Sequence, residues 1–421
     1  MSRFRSTVLA AMLTTGLLCS AGLTTGPLAE QDGRPATPAT VQPPLDSRAR
    51  LDAWLEASRG MRDPLDAFSA GGRQRFLSGL QFGERGVVSL PFEDMRWELD
   101  QEQAQAVLTL LGLDADPIAK TLQTSPVPSS WRADPHRPSG IDQRYSEYIA
   151  LTRAATRLDD LARARHAGAG FRQVFPRHLV EGAAKLGNPD LLLLTRATSI
   201  AANDSGDPGL AEELLTLIDL LGKRGMQSHA LIESAQRALL ASAKLDDARA
   251  LVTHFPALKL ASVPAVVTPA DALPTGPRWW RLSADGTRMD AATVDLSDLQ
   301  ILVLAGCHFS VDAARDIASD PELAPVFAAH AHWIGQPPGI EDLNAWKDWN
   351  AQFPNSPMYL VTRRSDWALF RNWPMPTYAV IRSGKVLEQM SGAFGNAPEL
   401  RLALIAMLGR HGLMSPANGT E

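Results

Sequence analysis

The sequence predicts a two-domain α+β protein, with a mostly α-helical, repeat-like N-terminal region followed by a smaller α/β domain. Three observations carry this expectation. Apolar residues recur at helical spacing through much of 47–256. Prolines then crowd one stretch, at Pro264, Pro269, Pro274 and Pro277. Beyond them the apolar pattern changes to short runs of strand length. The chain of 421 residues suffices for two or three domains, and 45% apolar with 21% charged residues is the balance of a globular protein with a real core.

The first segment reads as an export signal. Arg3 and Arg5 precede an apolar run from Val8 to Leu18, and the small residues Cys19-Ser20-Ala21 follow. A signal peptide over 1–29 is expected, cleaved after Ala21 or Ala29. An uncleaved anchor, helped by the apolar patch around Leu23, stays open, and with it a membrane association. Loss of Arg3 and Arg5 moves the formal net charge from −5 to −7. A mildly acidic chain without a basic stripe argues against nucleic-acid binding. Cys19 leaves with the signal, so Cys307 becomes the single cysteine and no internal disulfide can form.

Residues 30–46, rich in proline, alanine and threonine, read as a disordered tether. A helical domain is expected over 47–256. Asp100 caps a helix with Gln103 at the capping-box position, and Ala104, Val107, Leu108 and Leu111 share one face. A longer helix is expected from Asp142 to about Arg165, with Tyr145, Ile149, Thr152 and Leu161 turned inward. Asp207-Pro208 starts another, whose stripe of Leu210, Leu214, Leu217, Ile218 and Leu221 ends at Gly222. Residues 227–243 and 245–253 resemble half of a tetratricopeptide-type repeat, without a second copy at a fixed period. Gly86–Leu90 is a short-strand candidate. Residues 257–277 are taken as a proline-rich linker, 278–412 as the α/β domain and 413–421 as a tail.

Within 278–412, Trp279–Leu282 and a short strand near Thr293-Val294 flank an Asp285-Gly286 turn. Leu299–Leu304 is continuously apolar, as a strand buried on both faces requires. A helix over Val311–Ile317, a strand at Ala331–Ile334, a helix from Glu341 to Phe353 and a strand at Met358–Thr362 follow. Trp373-Pro374-Met375-Pro376-Thr377 then precedes a strand at Tyr378–Ile381, a turn at Ser383-Gly384-Lys385, a strand over Val386–Met390 and a helix from Ala397 to Leu408.

The chemistry centres on Ala305-Gly306-Cys307-His308-Phe309-Ser310. A cysteine between a buried strand and a helix meets unpaired N–H groups and the positive end of the helix dipole, which favour a thiolate. His308 can add positive charge. Ser310 can cap the helix and hydrogen-bond the sulfur. The competing reading is an inert, packed cysteine.

The strand order, the cysteine at the strand–helix junction and the later Met375-Pro376 resemble the thioredoxin superfamily, in particular periplasmic thiol–disulfide oxidoreductases of the TlpA type. The resemblance covers about 278–412. It implies a thioredoxin-like fold, a periplasmic setting, a cis peptide before Pro376, and substrate backbone docking at Met375, Pro376 and Thr377 beside a nucleophilic Cys307. It implies no cofactor. Two departures stand out. The usual Cys-x-x-Cys is Cys307-His308-Phe309-Ser310, so a hydroxyl replaces the resolving thiol. The tryptophan-containing segment before the cysteine is missing, so the loop is shorter.

Other constellations read more plainly. His330 and His332 offer two imidazoles, too few for a structural metal site. Trp346 and Trp349 read as packing. Asp159-Asp160, Glu212-Glu213 and Asp246-Asp247 read as solvated helix faces. No Ser/His/Asp set and no phosphate-binding glycine loop is legible. The expected function is a monothiol oxidoreductase or reductase acting on protein disulfides or small thiols, with Cys307, His308 and Ser310 as catalytic residues and a protein partner recruited through the helical domain. The alternative is a catalytically silent scaffold of the cell envelope.

Overall fold

The computed structural model describes residues 43–122, 124, 127–226, 228–267, 276–394 and 397–414. The expected signal peptide, most of the tether, Cys19, part of the proline-rich segment and the last residues lie outside them. Among the described residues no helix is long and apolar enough to cross a membrane. Residues 42–421 form a compact unit with a helical first part and a mixed sheet in the second.

The first part opens with α1 (Arg48–Ala57), α2 (Ala70–Gly79), a small hairpin of β1 (Gln81–Gly83) and β2 (Gly86–Ser89), α3 (Phe92–Glu98), α4 (Gln101–Leu110) and α5 (Ala115–Leu122). The expected capping box forms at α4. Asp100 Oδ1 accepts from the Gln103 N–H at 2.8 Å, and Gln103 Oε1 accepts from the Asp100 N–H at 3.0 Å. Leu45, within the segment read as tether, is instead fully buried, and its N–H donates to the Leu110 carbonyl at 2.9 Å.

Next come α6 (Gly140–Ala154), α7 (Asp160–Val174), α8 (Arg177–Glu181), α9 (Asn188–Ser205), α10 (Pro208–Lys223), α11 (His229–Ala241) and α12 (Leu245–His254). The single helix expected over 142–165 is thus two. The chain turns at residues 155–159, and the Asp159 side chain caps α7 by accepting from the Ala162 N–H at 2.7 Å. The helix starting at Asp207-Pro208 buries its stripe as read but runs past Gly222 to Lys223.

The axis of the region is α9, packed against α6, α7, α10 and α11. A helix so enclosed must be apolar almost all round. Leu191 to Leu194, Ala197, Ala201 and Ala202 are buried, and the buried hydroxyls of Thr195 and Thr198 bond back to Leu191 and Leu194 carbonyls.

A buried charge cluster ties α2, α3, α6 and α9 together. Arg75, 2% exposed, forks onto Asp94 at 3.0–3.1 Å and also pairs with Asp142, while Arg196 reaches Asp94 at 3.3 Å. Burial opposes the Arg75 charge, but Asp94 and its hydrogen bonds outweigh it, so the guanidinium stays charged. Burial and the neighbouring Asp94 push the Glu98 carboxyl up.

The second part is an eight-stranded sheet. Its strands are β3 (Ala265–Val267), β4 (Arg278–Leu282), β5 (Arg288–Thr293), β6 (Gln300–Leu304), β7 (Ala331–Gly335), β8 (Met358–Val361), β9 (Thr377–Arg382) and β10 (Lys385–Ser391). They lie in the order β10-β9-β6-β7-β8-β4-β5-β3. Strands β6, β7 and β8 run parallel; β9 is antiparallel to both β6 and β10. β3 falls inside the stretch read as linker, where Ala265-Val266-Val267 pairs in parallel with β5. The strand expected near Thr293-Val294 begins earlier, at Arg288.

Every residue of β6 is buried, the apolar Ile301–Leu304 and also Gln300, whose Nε2 donates to the Asp295 carbonyl at 2.8 Å. On one face Ile301 and Val303 share an apolar cluster with Tyr378 and Val380, with α13 (His308–Ser319) and with α16 (Pro398–Arg410). That cluster continues into α9, α10 and α11. On the other face Leu302, Leu304, Ala379 and Ile381 pack with Trp367, Phe370 and Trp373. Burying each such aliphatic or aromatic side chain stabilises the fold by about 1.5–3 kcal/mol. Between β6 and β8 stand α13, α14 (Leu323–His330) and α15 (Leu343–Gln352). The sequence reading had no α14. The helix expected from Glu341 starts at Leu343, capped by Asp342.

Replacing Arg75 with Met should lower the free energy of unfolding by about 3–5 kcal/mol, because Asp94 and Asp142 would be left without their shared counter-charge. Urea denaturation followed by tryptophan fluorescence measures it. Loss of less than 1 kcal/mol (about one RT ln 5 unit) would refute the cluster's structural role.

Candidate active site

Strand β6 ends at Leu304, and Ala305 and Gly306 carry the chain to Cys307. Cys307 is the N-cap of α13, with φ −102° and ψ 168°. Its carbonyl accepts from the Ser310 N–H at 2.9 Å and the Val311 N–H at 3.3 Å, so the helix starts directly at the cysteine. The short preceding loop therefore still delivers the thiol to the first turn. Cys307 is partly exposed and is a free cysteine.

Ser310 does not cap the helix as expected. It lies inside the first turn, fully buried, and its Oγ accepts from the Gly306 N–H at 3.3 Å and meets Cys307 Sγ at 3.4 Å. The hydroxyl thus holds both the loop and the sulfur. His308 is exposed, and its ring lies 3.8 Å from that of Phe309, which is 49% exposed. Among the described residues no hydrogen bond joins His308 to the thiol. An imidazole turned to solvent contributes little fixed charge to the sulfur.

The proline motif comes from far along the chain to the same point. The Met375–Pro376 peptide is cis, and the Met375 carbonyl accepts from Cys307 Sγ at 3.4 Å. Pro376 and Thr377 are buried. Thr377 Oγ1 bonds the Pro374 carbonyl at 2.6 Å and Ser391 Oγ at 2.6 Å, fixing the motif to β10. The structure therefore brings together Cys307, Ser310 and Met375-Pro376, and leaves His308 and the Thr377 side chain outside the sulfur's contacts.

Two groups beside the thiol escaped the sequence reading. The first is Glu341, from the loop between β7 and α15. Its carboxyl lies over Gly306, where any Cβ would strike it. Gly306 also has φ +148°, a backbone angle that glycine alone tolerates well. Burial, with Asp342 adding repulsion, pushes the Glu341 carboxyl up to about 8. At neutral pH it is mostly protonated and adds little negative charge beside the sulfur. The second is Tyr378, fully buried on β9, whose hydroxyl has no hydrogen-bond partner. Burial, Asp316 and Cys307 hold that phenol well above its usual range.

The helical region grips both loops around the thiol. Asp159 pairs with Arg371 at 2.7 Å, Asp160 Oδ2 accepts from the Trp373 N–H at 2.8 Å, and the Leu161 N–H donates to the Arg371 carbonyl at 3.2 Å. The acidic pair read as a solvated helix face is instead a clamp on the segment entering the proline motif. On the other side Gly339, at φ +94°, lies against the backbone of α11, where a Cβ would strike the Arg237 carbonyl.

The remaining candidates stand apart. His330 ends α14 and is exposed, while His332 on β7 packs against Trp279 at 5.3 Å, and burial pushes it down. Among the described residues no cluster of metal-binding side chains occurs. Trp346 and Trp349 are buried and donate to the Met358 and Ser356 carbonyls.

Glu341 makes a pH prediction. Its folded-state value lies above the ordinary one of 4.5, so the folded chain holds a proton that the unfolded chain releases. Its contribution is therefore most favourable at or below pH 4.5 and is lost as pH rises to about 8. Glu341→Gln should be more stable than the wild type at pH 8, with the difference shrinking toward pH 5 (about the ordinary carboxyl range). Chemical denaturation at a series of pH values checks this; a gap that widens on acidification contradicts it.

Comparison of the chain with protein-family models, with curated proteins and with solved structures finds no match.

Proposed function

We propose that residues 278–412 form a thioredoxin-like domain in which Cys307 acts as a monothiol nucleophile toward disulfides. The observation that carries this reading is the meeting of Cys307 Sγ with the carbonyl of the cis Met375–Pro376 peptide at 3.4 Å. The topology supports it: the order β10-β9-β6-β7, a parallel β6–β7 pair bridged by α13 and α14, and α16 after the β9–β10 hairpin. This is the arrangement that the resemblance implies. Export to the periplasm belongs to the same reading and rests on the N-terminal text alone.

The chemistry follows from one thiol. The Cys307 thiolate attacks one sulfur of a substrate disulfide. A new S–S bond forms to Cys307, the old one breaks, and the other substrate sulfur leaves as a thiolate that takes a proton. Ser310 stands where a second thiol would resolve this intermediate, and a hydroxyl cannot. An external thiolate must attack the substrate sulfur of the mixed disulfide: a new S–S bond forms between that thiol and the substrate, the bond to Cys307 breaks, and Cys307 leaves as the thiolate. Ser310 Oγ, 3.4 Å from the sulfur, can donate to the thiolate as it forms and leaves. The Met375 carbonyl, now held by the thiol, becomes available to a substrate N–H once the sulfur has reacted.

The test is alkylation and adduct formation on the full chain in a Cys19→Ala background, where Cys307 is the one thiol. Native Cys307 should react with iodoacetamide at neutral pH at least as fast as the urea-unfolded chain. Oxidised glutathione should leave a glutathione adduct that excess thiol removes and that Cys307→Ala lacks. Labelling only after unfolding would sink the reading and leave a catalytically silent scaffold. Ser310→Cys should restore an internal pair. Its oxidised form should lack free thiol by Ellman titration and should not accumulate the glutathione adduct, because the new thiol lies within reach of the sulfur. Persistent adduct in that variant would contradict the proposed geometry.

A further inference from the structure

A cavity of about 690 Å³ lies away from the thiol, where α3, α6, α9 and α11 approach the Gly339-Ile340 loop. Its size falls in the range of small-molecule sites. Phe92, Trp97, Ile149 and Leu231 supply an apolar wall. Arg96, Arg153, Arg196 and Arg237 face Glu93, Asp94 and Asp204 across it.

The hydrogen-bonding of these groups is incomplete. Arg196 has a side chain only 4% exposed and shares Asp94 with Arg75, and its Nε has no partner. Tyr145 is fully buried and its hydroxyl is likewise unpaired, as is Arg96 Nε. Arg153 is half-buried, lies flat over Gly79, and makes its hydrogen bond to the Arg75 carbonyl at 3.2 Å. Among the described residues no carboxylate lies within ion-pairing distance of Arg153. These unpaired atoms are covered by protein, while Arg153 and Arg237 line the hollow and have no ion pair among the described residues.

We infer that this cavity binds an organic monoanion, a carboxylate carried on an aromatic or apolar body. Arg96 pairs with Glu233 at 3.7 Å and Arg196 with Asp94 at 3.3 Å, whereas Arg153 and Arg237 line the cavity without an ion pair among the described residues. A carboxylate offers such a guanidinium two planar acceptors, and its single charge suits the site better than a phosphate dianion. Trp97 and Ile149 provide the surface for the apolar body. The inference does not depend on Cys307 being reactive.

Isothermal titration calorimetry on the full chain tests it, with benzoate as probe, benzamide as its uncharged counterpart and inorganic phosphate as the competing anion. Benzoate should bind about tenfold or more tightly than benzamide and more tightly than phosphate. Arg153→Gln, or Arg96→Gln should the first not fold, should weaken benzoate about tenfold without changing the circular-dichroism melting curve. Equal affinity for benzoate and benzamide, absence of benzoate binding, tighter binding of phosphate, or full benzoate affinity in the folded variant would each overturn the inference.

Discussion

The site depends on how two loops are held against the helical region. Neither loop has a regular ladder of its own to fix it. The segment before Met375 takes its position from α7, through Asp159 on Arg371 and Asp160 on the Trp373 N–H. The segment before Glu341 takes its position from α11, against which Gly339 lies with no room for a side chain. A hydrogen bond to a buried or partly buried backbone group contributes about 0.5–1.5 kcal/mol, more when one partner is charged. The sum is modest for the whole fold but sufficient to select one loop conformation. Because the Met375 carbonyl meets the sulfur at 3.4 Å, that selection sets the geometry of the thiol.

The same constraint explains the glycine and the carboxyl beside Cys307. In the loop that α11 holds at Gly339, the Glu341 carboxyl lies over Gly306. Burial there disfavours its charge, so the proton stays on at neutral pH. Were Glu341 ionised, it would oppose a thiolate on the next residue. The helical region therefore bears on the site through Asp159 and Asp160, which hold the segment before Met375, and through α11, against which the Gly339 loop lies.

The parts of this fold legible in the sequence were those governed by local rules. Asp100 with Gln103 spelled a capping box, Leu299–Leu304 spelled a buried strand, and Asp207-Pro208 spelled a helix start. Cys307 at a strand–helix junction and Met375-Pro376 before a strand were readable for the same reason. What could not be read was set by tertiary context. Asp159-Asp160 has the text of any solvated helix start, and only the approach of residues 371–373 gives it a role. Ala265–Val267 is apolar with two β-branched valines, a weak signal that the surrounding prolines masked. Glu341 looked like the first turn of a helix. Arg75, Asp94, Asp142 and Arg196 are ordinary charges in sequence, spread over more than a hundred positions, and become one cluster only on folding.

A single thiol with a clamped proline motif has a consequence for how such a site would turn over. In a dithiol site the second sulfur limits the lifetime of the mixed disulfide, so the protein's hold on its substrate can be weak. With Ser310 in that place, release waits for an external thiol, and the intermediate lasts as long as that thiol is kept out. The loops on either side of Cys307 are held by α7 and α11, while His308 and Phe309 face solvent. If Cys307 turns over as proposed, the helical region, by fixing the two loops, would bear on which thiols reach the mixed disulfide and so on how long it persists.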